Sequence, residues 1–547
     1  MATPSFKEKS RKDSEGTLPL SEAPTETASM RLTTASTSSD DNEPNWPQSW
    51  RAWACLLGCF FLMFNSWGLV NAYGTWSSYY VGHSLRGTDQ LELNLIGSTQ
   101  SFLVLLFSNP VGRLLDAGHF RKVVGFGVFF VPFGLFMLSV AHPSDVEALG
   151  NFGSIWATQG LVVGIGMGAF FVSSSQIAST WFPKRRGLAV GYVACGASVA
   201  GVIYPTMLRY LIDVLEFNNA VRCVAALTSV TCIFSFIFCT PDPAHEHNEP
   251  KSWGKMQTWF DNEAFKNKAW VWFTAAVAFM FLGFYPVFFN LEEWASTNGF
   301  GTRNAATAIR FVVAGSTTDP TSDRPLETFW LLTIMNGAST VGRLILAHFS
   351  DYTGALNMHI GAQLVASLLT LTLWSLAGSE TDAIAFCVVF GVFSGMVIGL
   401  PPASIGNILN CTYTSPEAKH FAKKKLGHWT GQMYTFAAIP ALVGPVIAGH
   451  LITEYQSYLT VQMWSGCSLM VSFLCMLVSR WYLPCNNGDR VANNVARYLG
   501  KDDRLGREKG KSSDAGLTSR EGFSQAPTRV TSAAPSSEKL PAPENMV

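Results

Sequence analysis

Charged side chains are scarce in this chain of 547 residues, where Asp, Glu, Lys and Arg together make up only 14%. Soluble domains carry roughly a quarter charged residues. Lys and Arg number 38 and are balanced by 38 Asp and Glu, so no excess of positive charge favours nucleic acid as a partner. The composition predicts a chain whose middle is surrounded by a lipid bilayer.

Signatures of catalysis and of bound cofactors are missing as well. The eleven cysteines include no Cys-x-x-Cys pair and no Walker loop occurs, which disfavours metal sites, disulfide frameworks and ATP-driven transport. The glycine-rich stretch at 160–171 lies inside an apolar run, where small residues serve helix packing rather than dinucleotide binding. We therefore predict no enzyme, no catalytic residue, no metal and no cofactor.

Long apolar runs are what the chain has instead. A bilayer core needs about 20 apolar residues per helix, and helices satisfy their backbone hydrogen bonds within one segment. The runs predict an all-α membrane protein with twelve transmembrane helices. They lie near 52–80, 93–112, 122–141, 154–176, 187–211, 221–240, 269–290, 327–349, 357–378, 382–405, 429–453 and 460–482.

The polar segments around these runs divide the chain into five parts. Residues 1–48 and 486–547 are polar and are predicted to be disordered tails, because they cannot bury enough apolar surface to fold alone. A polar linker at 241–268 separates two groups of six runs. The expected domains are therefore six-helix bundles at 49–240 and 269–485.

Lys and Arg concentrate in alternate loops. They occur at 121–122, at 184–186, in the linker and at 419–425, whereas the third-to-fourth and ninth-to-tenth loops have none. The seventh-to-eighth loop is an exception, with Arg303, Arg310 and Arg324. The positive-inside rule then predicts that both termini, the tails and the linker are cytoplasmic. We expect a monomer in the plasma membrane, with the vacuolar membrane as the alternative.

Four stretches carry a resemblance to a known family. GRLLDAGHFRK at 112–122 resembles a loop signature of the major facilitator superfamily, and a weak copy follows the eighth run at 347–354. NSWGLVNAYGTWSSYY at 65–80, RRGLAVGYVACGASVAGVIYP at 185–205 and FSGMVIGLPPASIG at 393–406 resemble the fungal members of its monocarboxylate-transporter-like branch. The resemblance implies two six-helix bundles that rock about a central solute site, with protons as a common coupling ion.

The chain departs from the lactate carriers of that branch at two positions. Those proteins place a lysine near the position of Gly74 and an aspartate where this chain has Ser339. Because both charges are missing, proton–lactate cotransport is not expected.

Arg343 is a full charge inside the eighth apolar run. An arginine near a helix centre costs about 2.5–3.5 kcal/mol on insertion scales, so it is normally turned toward a cavity or a partner. Two interpretations stay open: the side chain reaches the membrane interface or pairs with Asp351, or it faces a cavity and binds an anionic group of the solute. The resemblance ties the matching arginine to substrate binding.

Three further residues join Arg343 as predicted substrate-binding residues. Asn336 precedes Arg343 by seven positions and so shares its helix face, Asn71 lies in the best family match, and Tyr285 adjoins Pro286 in the seventh run. Aromatic residues of the first and seventh runs suggest a larger, partly apolar solute, although contact with lipid explains them equally well. These aromatic residues are Trp67, Tyr73, Trp76, Tyr285 and Phe289.

Charged residues near the loop signature are predicted to form a conformational latch. Asp116, at the end of the second run, can bond basic groups of neighbouring helices in one state and release them in the other. Arg113, Arg121 and Asp351 are the other expected members. Glu292 and Glu293 are expected to be solvated charges at the outer end of the seventh run, with a proton relay as the alternative. Because no buried carboxylate stands out, the coupling ion stays open.

These observations leave three hypotheses for function. The first is a secondary active transporter that moves a small organic acid or secondary metabolite by alternating access, with export as one direction. The second is a proton-coupled importer of a nutrient such as a vitamin or a short monocarboxylate. The third, from another class, is a membrane receptor that transports nothing and signals through its long tails.

Overall fold

Long helices form almost all of the protein. The computed structural model describes residues 46–143, 150–182, 186–244, 252–302, 326–346, 353–413 and 415–483. Most of the predicted tails and Asp351 lie outside these ranges. Within them no residue belongs to a β-strand, and the one isolated bridge joins Thr302 and Glu327.

The first bundle contains six helical segments. In chain order they are α1 (Trp50–Phe64, Trp67–Asn71, Tyr73–Tyr79 and the π-helical turn Tyr80–Ser84), α2 (Gln90–Leu106 and Ser108–Asp116), α3 (Phe120–Ala141), α4 (Phe152–Ile155, Trp156–Val162 and Val163–Trp181), and α5 and α6, which share Arg186–Phe238. Glu216 divides this last helix into 186–215 and 217–238, because its φ of 63° and ψ of 167° are not helical.

The second bundle repeats this layout after a linker with two short helices, Met256–Trp259 and Asn262–Lys266. Its segments are α7 (Lys268–Thr297), α8 (Phe329–Val341 and Gly342–Leu346), α9 (Ala355–Leu369 and Thr370–Trp374), α10 (Glu380–Gly399 and Pro401–Thr412), α11 (Pro416–Tyr455) and α12 (Tyr458–Trp481).

Ten helices in the described ranges are long and apolar enough to cross a membrane. The division of Arg186–Phe238 at Glu216 and the segment α8 make the helix count consistent with the predicted twelve. The all-α membrane fold is therefore confirmed. We call the side on which α1 begins and α12 ends the proximal side, and the opposite side the distal side.

Breaks in α1 fix the middle of the first bundle. The α-helix is interrupted after Phe64, because Asn65 takes a non-helical conformation. The Asn65 side chain donates to Thr231 of α6 at 2.8 Å and accepts from Tyr204 of α5 at 2.7 Å. Three helices of the first bundle are thus joined at one amide, and Trp67 follows directly after this anchored turn.

The two bundles meet closely along three helix pairs. On α5, a Cβ added at Gly201 would collide with the amide of Asn336 on α8. On α1, a Cβ at Gly74 would lie 2.6 Å from the carbonyl oxygen of Phe288 on α7. The backbone N–H of Asn109 in α2 donates a hydrogen bond to the hydroxyl oxygen of Thr435 in α11 at 3.4 Å. Small residues therefore set the spacing between the bundles, as is typical of helix contacts in lipid.

Candidate functional site

Five aromatic side chains form a cluster at the boundary between the bundles. Trp67 of α1 stacks on Tyr285 of α7 with ring centroids 5.4 Å apart and planes 9° from parallel. It also stacks on Phe281, one turn earlier in α7, at 5.8 Å and 26°. Phe171 of α4 meets Trp67 edge-on at 5.3 Å, and Tyr434 of α11 meets Phe171 at 4.9 Å. We call these five residues the central aromatic cluster.

Arg343 lies beside this cluster. Its guanidinium is within electrostatic range of Tyr285. The side chain is only 5% exposed, and its Nη1 donates across the bundle boundary to the carbonyl oxygen of Ala194 in α5. In this conformation the guanidinium is enclosed by protein, and Asp351, its predicted carboxylate partner, lies outside the described residues. The missing side chain of Gly395 leaves room for Arg343, whose Cγ would lie 3.1 Å from a Cβ there.

The two predicted asparagines, like Arg343, contact α5. Asn71 donates to the carbonyl oxygen of Ala197 at 3.4 Å, and Asn336 packs on Gly201. Ala194, Ala197 and Gly201 are spaced by three and four positions and therefore share one face of α5. The structure thus brings Arg343, Asn336 and Asn71 to one face of α5, while Tyr285 approaches Arg343 from α7.

Several buried polar atoms around this region have no hydrogen-bond partner among the described residues. They are Nε1 of Trp67, Oδ1 of Asn336, Nε of Arg343 and the amide of Gln432. An unsatisfied buried donor or acceptor costs about 1–3 kcal/mol. In a native structure such groups point to water or a ligand.

The sequence left open whether the aromatic residues of the first and seventh runs contact lipid. The structure buries all of them inside the protein. The residues concerned are Trp67, Tyr73, Trp76, Tyr285 and Phe289. Apolar periodicity could not identify this burial, because a helix surrounded by lipid and by other helices is apolar on every face.

On the distal side a buried ion pair joins the bundles. Nη2 of Arg209 in α5 lies 3.6 Å from Oε1 of Glu292 in α7, and both side chains are almost fully enclosed. The expectation that Glu292 and Glu293 are solvated is therefore wrong, since both carboxylates are buried. Nothing in the spacing of Arg209 and Glu292 along the chain signalled this pairing.

A second distal contact joins α2 to α7 and α11. Asn94 donates to the carbonyl oxygen of Pro445 at 2.9 Å and to Asn290 at 3.3 Å. Gln90, one turn earlier in α2, also donates to Asn290 at 3.3 Å. Among the described residues, polar contacts therefore hold the two bundles together on the distal side.

On the proximal side the predicted latch residues are only partly assembled. Arg113 pairs with Asp116 at 3.7 Å on one helix, and Asp116 accepts a hydrogen bond from Gln176 of α4. Arg113 also donates through Nε to the carbonyl oxygen of Thr258 in the linker at 2.8 Å. Arg121 is exposed on α3, and Asp351 lies outside the described residues.

The linker itself bridges the two bundles on this side, which the sequence did not predict. The carbonyl oxygen of Trp259 accepts from Asn109 of α2 at 2.5 Å and from His428 of α11 at 2.9 Å. Asp261 accepts from Trp429 at 3.0 Å and pairs with Lys425 at 3.4 Å, both on α11. Residues 258–263 therefore form a strap, which we call the linker strap.

Two helical bundles that enclose polar groups at their boundary are typical of a membrane transporter. Residues 55–412 match the model of the Major Facilitator Superfamily, which is more than half of the chain. The protein therefore belongs to the Major Facilitator Superfamily, a family of multi-pass membrane transporters for small solutes and not of enzymes. This confirms the predicted superfamily, whereas the monocarboxylate-transporter-like branch stays a prediction.

Related fungal proteins match nearly the whole membrane region. An MFS-type transporter of Gibberella zeae is 28% identical over 471 residues, covering 85% of this chain and 93% of that protein. The Aspyridones efflux protein apdF of Emericella nidulans is 28% identical over 431 residues, covering 79% and 78%. The Agnestins efflux protein AgnL12 of Paecilomyces divaricatus is 26% identical over 449 residues, covering 82% and 92%.

Two solved transporters share the fold. The nucleoside transporter NupG matches with a TM-score of 0.56 at 14% identity, over 78% of this chain and 99% of that one. The fucose:proton symporter FucP of E. coli matches with a TM-score of 0.50 at 12% identity, over 79% and 98%. At such low identity the likeness shows the fold alone.

The buried pair of Arg209 and Glu292 generates a stability prediction. Arg209→Met leaves the Glu292 carboxylate less compensated and should destabilise the purified protein by about 3 kcal/mol, because breaking a buried pair strands a charge. The double variant Arg209→Met/Glu292→Gln should recover part of this loss. Thermal unfolding in detergent compares the unaltered protein, the single variants Arg209→Met and Glu292→Gln, and the double variant, with Arg222→Met at an exposed arginine as the control. Strictly additive effects would contradict coupling between the two side chains.

Proposed function

We propose that the protein is a secondary active transporter that exports a small organic acid. The observation that carries this proposal is a buried guanidinium, Arg343, which forms no ion pair with any described residue and lies between the bundles beside the central aromatic cluster. A carboxylate or enolate on the solute would supply the missing charge. Arginine suits this role because its planar fork can donate two parallel hydrogen bonds to a carboxylate.

The location of Arg343 couples this binding to alternating access. Its Nη1 bond to Ala194 joins α8 of the second bundle to α5 of the first. A solute anion competes for the same guanidinium and so removes a contact that holds the bundles together. Asn336 and Asn71 line the same α5 face and are the proposed polar contacts for the rest of the solute, with Tyr285 closing the site from α7.

The direction and the membrane are also part of the proposal. The Lys and Arg of alternate loops favour a cytoplasmic proximal side, with both termini in the cytoplasm and the protein in the plasma membrane. Two relatives are named as efflux proteins, which favours export. Import of a nutrient is the second candidate, because the same fold can run in either direction. The buried pair of Arg209 and Glu292 favours protons as the coupling ion, since it places a carboxylate inside the protein.

The latch belongs to the same mechanism and extends beyond the predicted residues. Arg113 and Asp116 secure the proximal end of α2, and the linker strap connects that end to α11. The proximal ends of α2 and α11 must separate for the cytoplasmic side to open. The strap would then hold this side closed until its polar contacts are released.

Arg343→Gln tests the anion site. We expect uptake of an organic acid into inside-out vesicles to fall at least tenfold, because the uncharged amide cannot offset the solute charge. Arg343→Lys should retain part of the rate, and Arg222→Gln, at an exposed arginine of α6, should match the unaltered protein. If Arg343→Gln leaves the transport rate of every tested anion unchanged, the arginine does not bind the solute.

Asp261→Asn tests the linker strap. Asparagine keeps the N-cap of the helix Asn262–Lys266 but removes the charge that faces Lys425. The reporter is a cysteine introduced by Thr435→Cys, on the side of α11 that faces α2. We expect this cysteine to react with a maleimide from the cytoplasmic side several times faster when Asp261→Asn is present than when it is absent. Asp382→Asn, at an exposed carboxylate in the first turn of α10, is the matched control. Equal rates in both variants would show that the strap does not restrain opening.

A further inference from the structure

We infer that the solute is a planar aromatic acid, bound with its ring against the faces of Trp67 and Tyr285 and its anionic group at Arg343. This inference rests on the proposed function and names the chemical class of its solute. It depends on the arrangement of the central aromatic cluster, which neither the family nor the names of the relatives specify.

The stack of Trp67 on Tyr285 crosses the boundary between the bundles. Trp67 belongs to α1 of the first bundle, and its parallel partners Tyr285 and Phe281 belong to α7 of the second. Alternating access moves the bundles relative to each other, so these faces separate in each transport cycle. An exposed pair of large aromatic faces is costly in water, and a flat ring inserted between them restores both contacts.

The surrounding rings give the site the shape of a slot. Phe171 stands at 86° to Trp67, and Tyr434 stands at 68° to Phe171 and at 74° to Phe281. The cluster therefore has flat faces formed by Trp67 and α7, with rings standing edge-on beside them. A planar ring can stack on the faces and meet the edges of Phe171 and Tyr434, whereas a saturated ring of the same size has no flat face to stack on them.

Polar atoms at the cluster match the functional groups of such a solute. Nε1 of Trp67 and Nε of Arg343 are buried donors without an acceptor among the described residues. An aromatic acid supplies acceptors at its carboxylate or enolate and at ring oxygens. Other buried aromatic groups are different. Tyr73 donates to the carbonyl of Leu93, and Trp374 stacks on Phe386 within the second bundle, so neither combines free donors with a boundary between bundles.

Three probes of similar size separate ring shape from charge. The full-length protein in lipid nanodiscs is titrated with 2-naphthoate, with decahydro-2-naphthoate, which has the same carboxylate on a saturated skeleton, and with 2-naphthalenemethanol, which is planar and neutral. We expect 2-naphthoate to bind about tenfold tighter than either of the others, because only it can use both the slot and Arg343.

Variants assign the binding to the cluster. Trp67→Leu should weaken 2-naphthoate about tenfold and leave decahydro-2-naphthoate unchanged, while Trp67→Phe should retain most of the affinity. Trp374→Leu is the matched control, because it removes a buried, stacked tryptophan that does not face the bundle boundary. Thermal unfolding and size-exclusion profiles confirm that each variant is folded before its affinity is compared.

The possible failures are distinguishable. Equal binding of the planar and saturated acids, with both lost in Arg343→Gln, would overturn the aromatic inference and leave the proposed acid transporter standing. Binding of 2-naphthoate that is insensitive to Arg343→Gln would contradict the anion site itself. The absence of binding by all three probes at millimolar concentration would also overturn the inference.

Discussion

A guanidinium held inside a membrane protein is the constraint on which this structure depends. Arg343 cannot remain among apolar helices without a partner, and the partner present is the carbonyl oxygen of Ala194 on the other bundle. This bond, together with the packing of Asn336 on Gly201, ties α8 to α5. A neutral carbonyl does not balance a full charge. Under the proposed function, an anionic solute would displace this resting contact.

Among the described residues, polar contacts join the two bundles on both the distal and the proximal side of Arg343. On the distal side Arg209 pairs with Glu292, and Asn94 bonds α11. On the proximal side the linker strap joins α2 and α11 through the carbonyl of Trp259. Each set must break for one side to open. Their chemistry differs, since the distal side uses a buried ion pair and the proximal side uses a strap whose charges are partly solvated.

Local features of the sequence were sufficient to predict the all-α membrane fold, whereas the twelve-helix count and the domain bounds stay predictions. Apolar runs of helical length and the polar linker indicated two groups of six helices, and the unusual position of Arg343 marked one side of the candidate site. Contacts between distant residues could not be predicted, because hydropathy records how well a segment suits lipid and not which face meets another helix. Glu292 looked solvated for this reason, since its partner Arg209 belongs to another bundle. The aromatic faces of Trp67 and Tyr285 were ambiguous for the same reason.

Metabolite profiling of cells that lack this protein, comparing medium with cell interior, tests the central claim most directly. We expect that at least one aromatic organic acid accumulates inside the cells and disappears from the medium, and that the Arg343→Gln variant fails to restore its release. A nutrient that instead remains in the medium and is depleted inside the cells would contradict export.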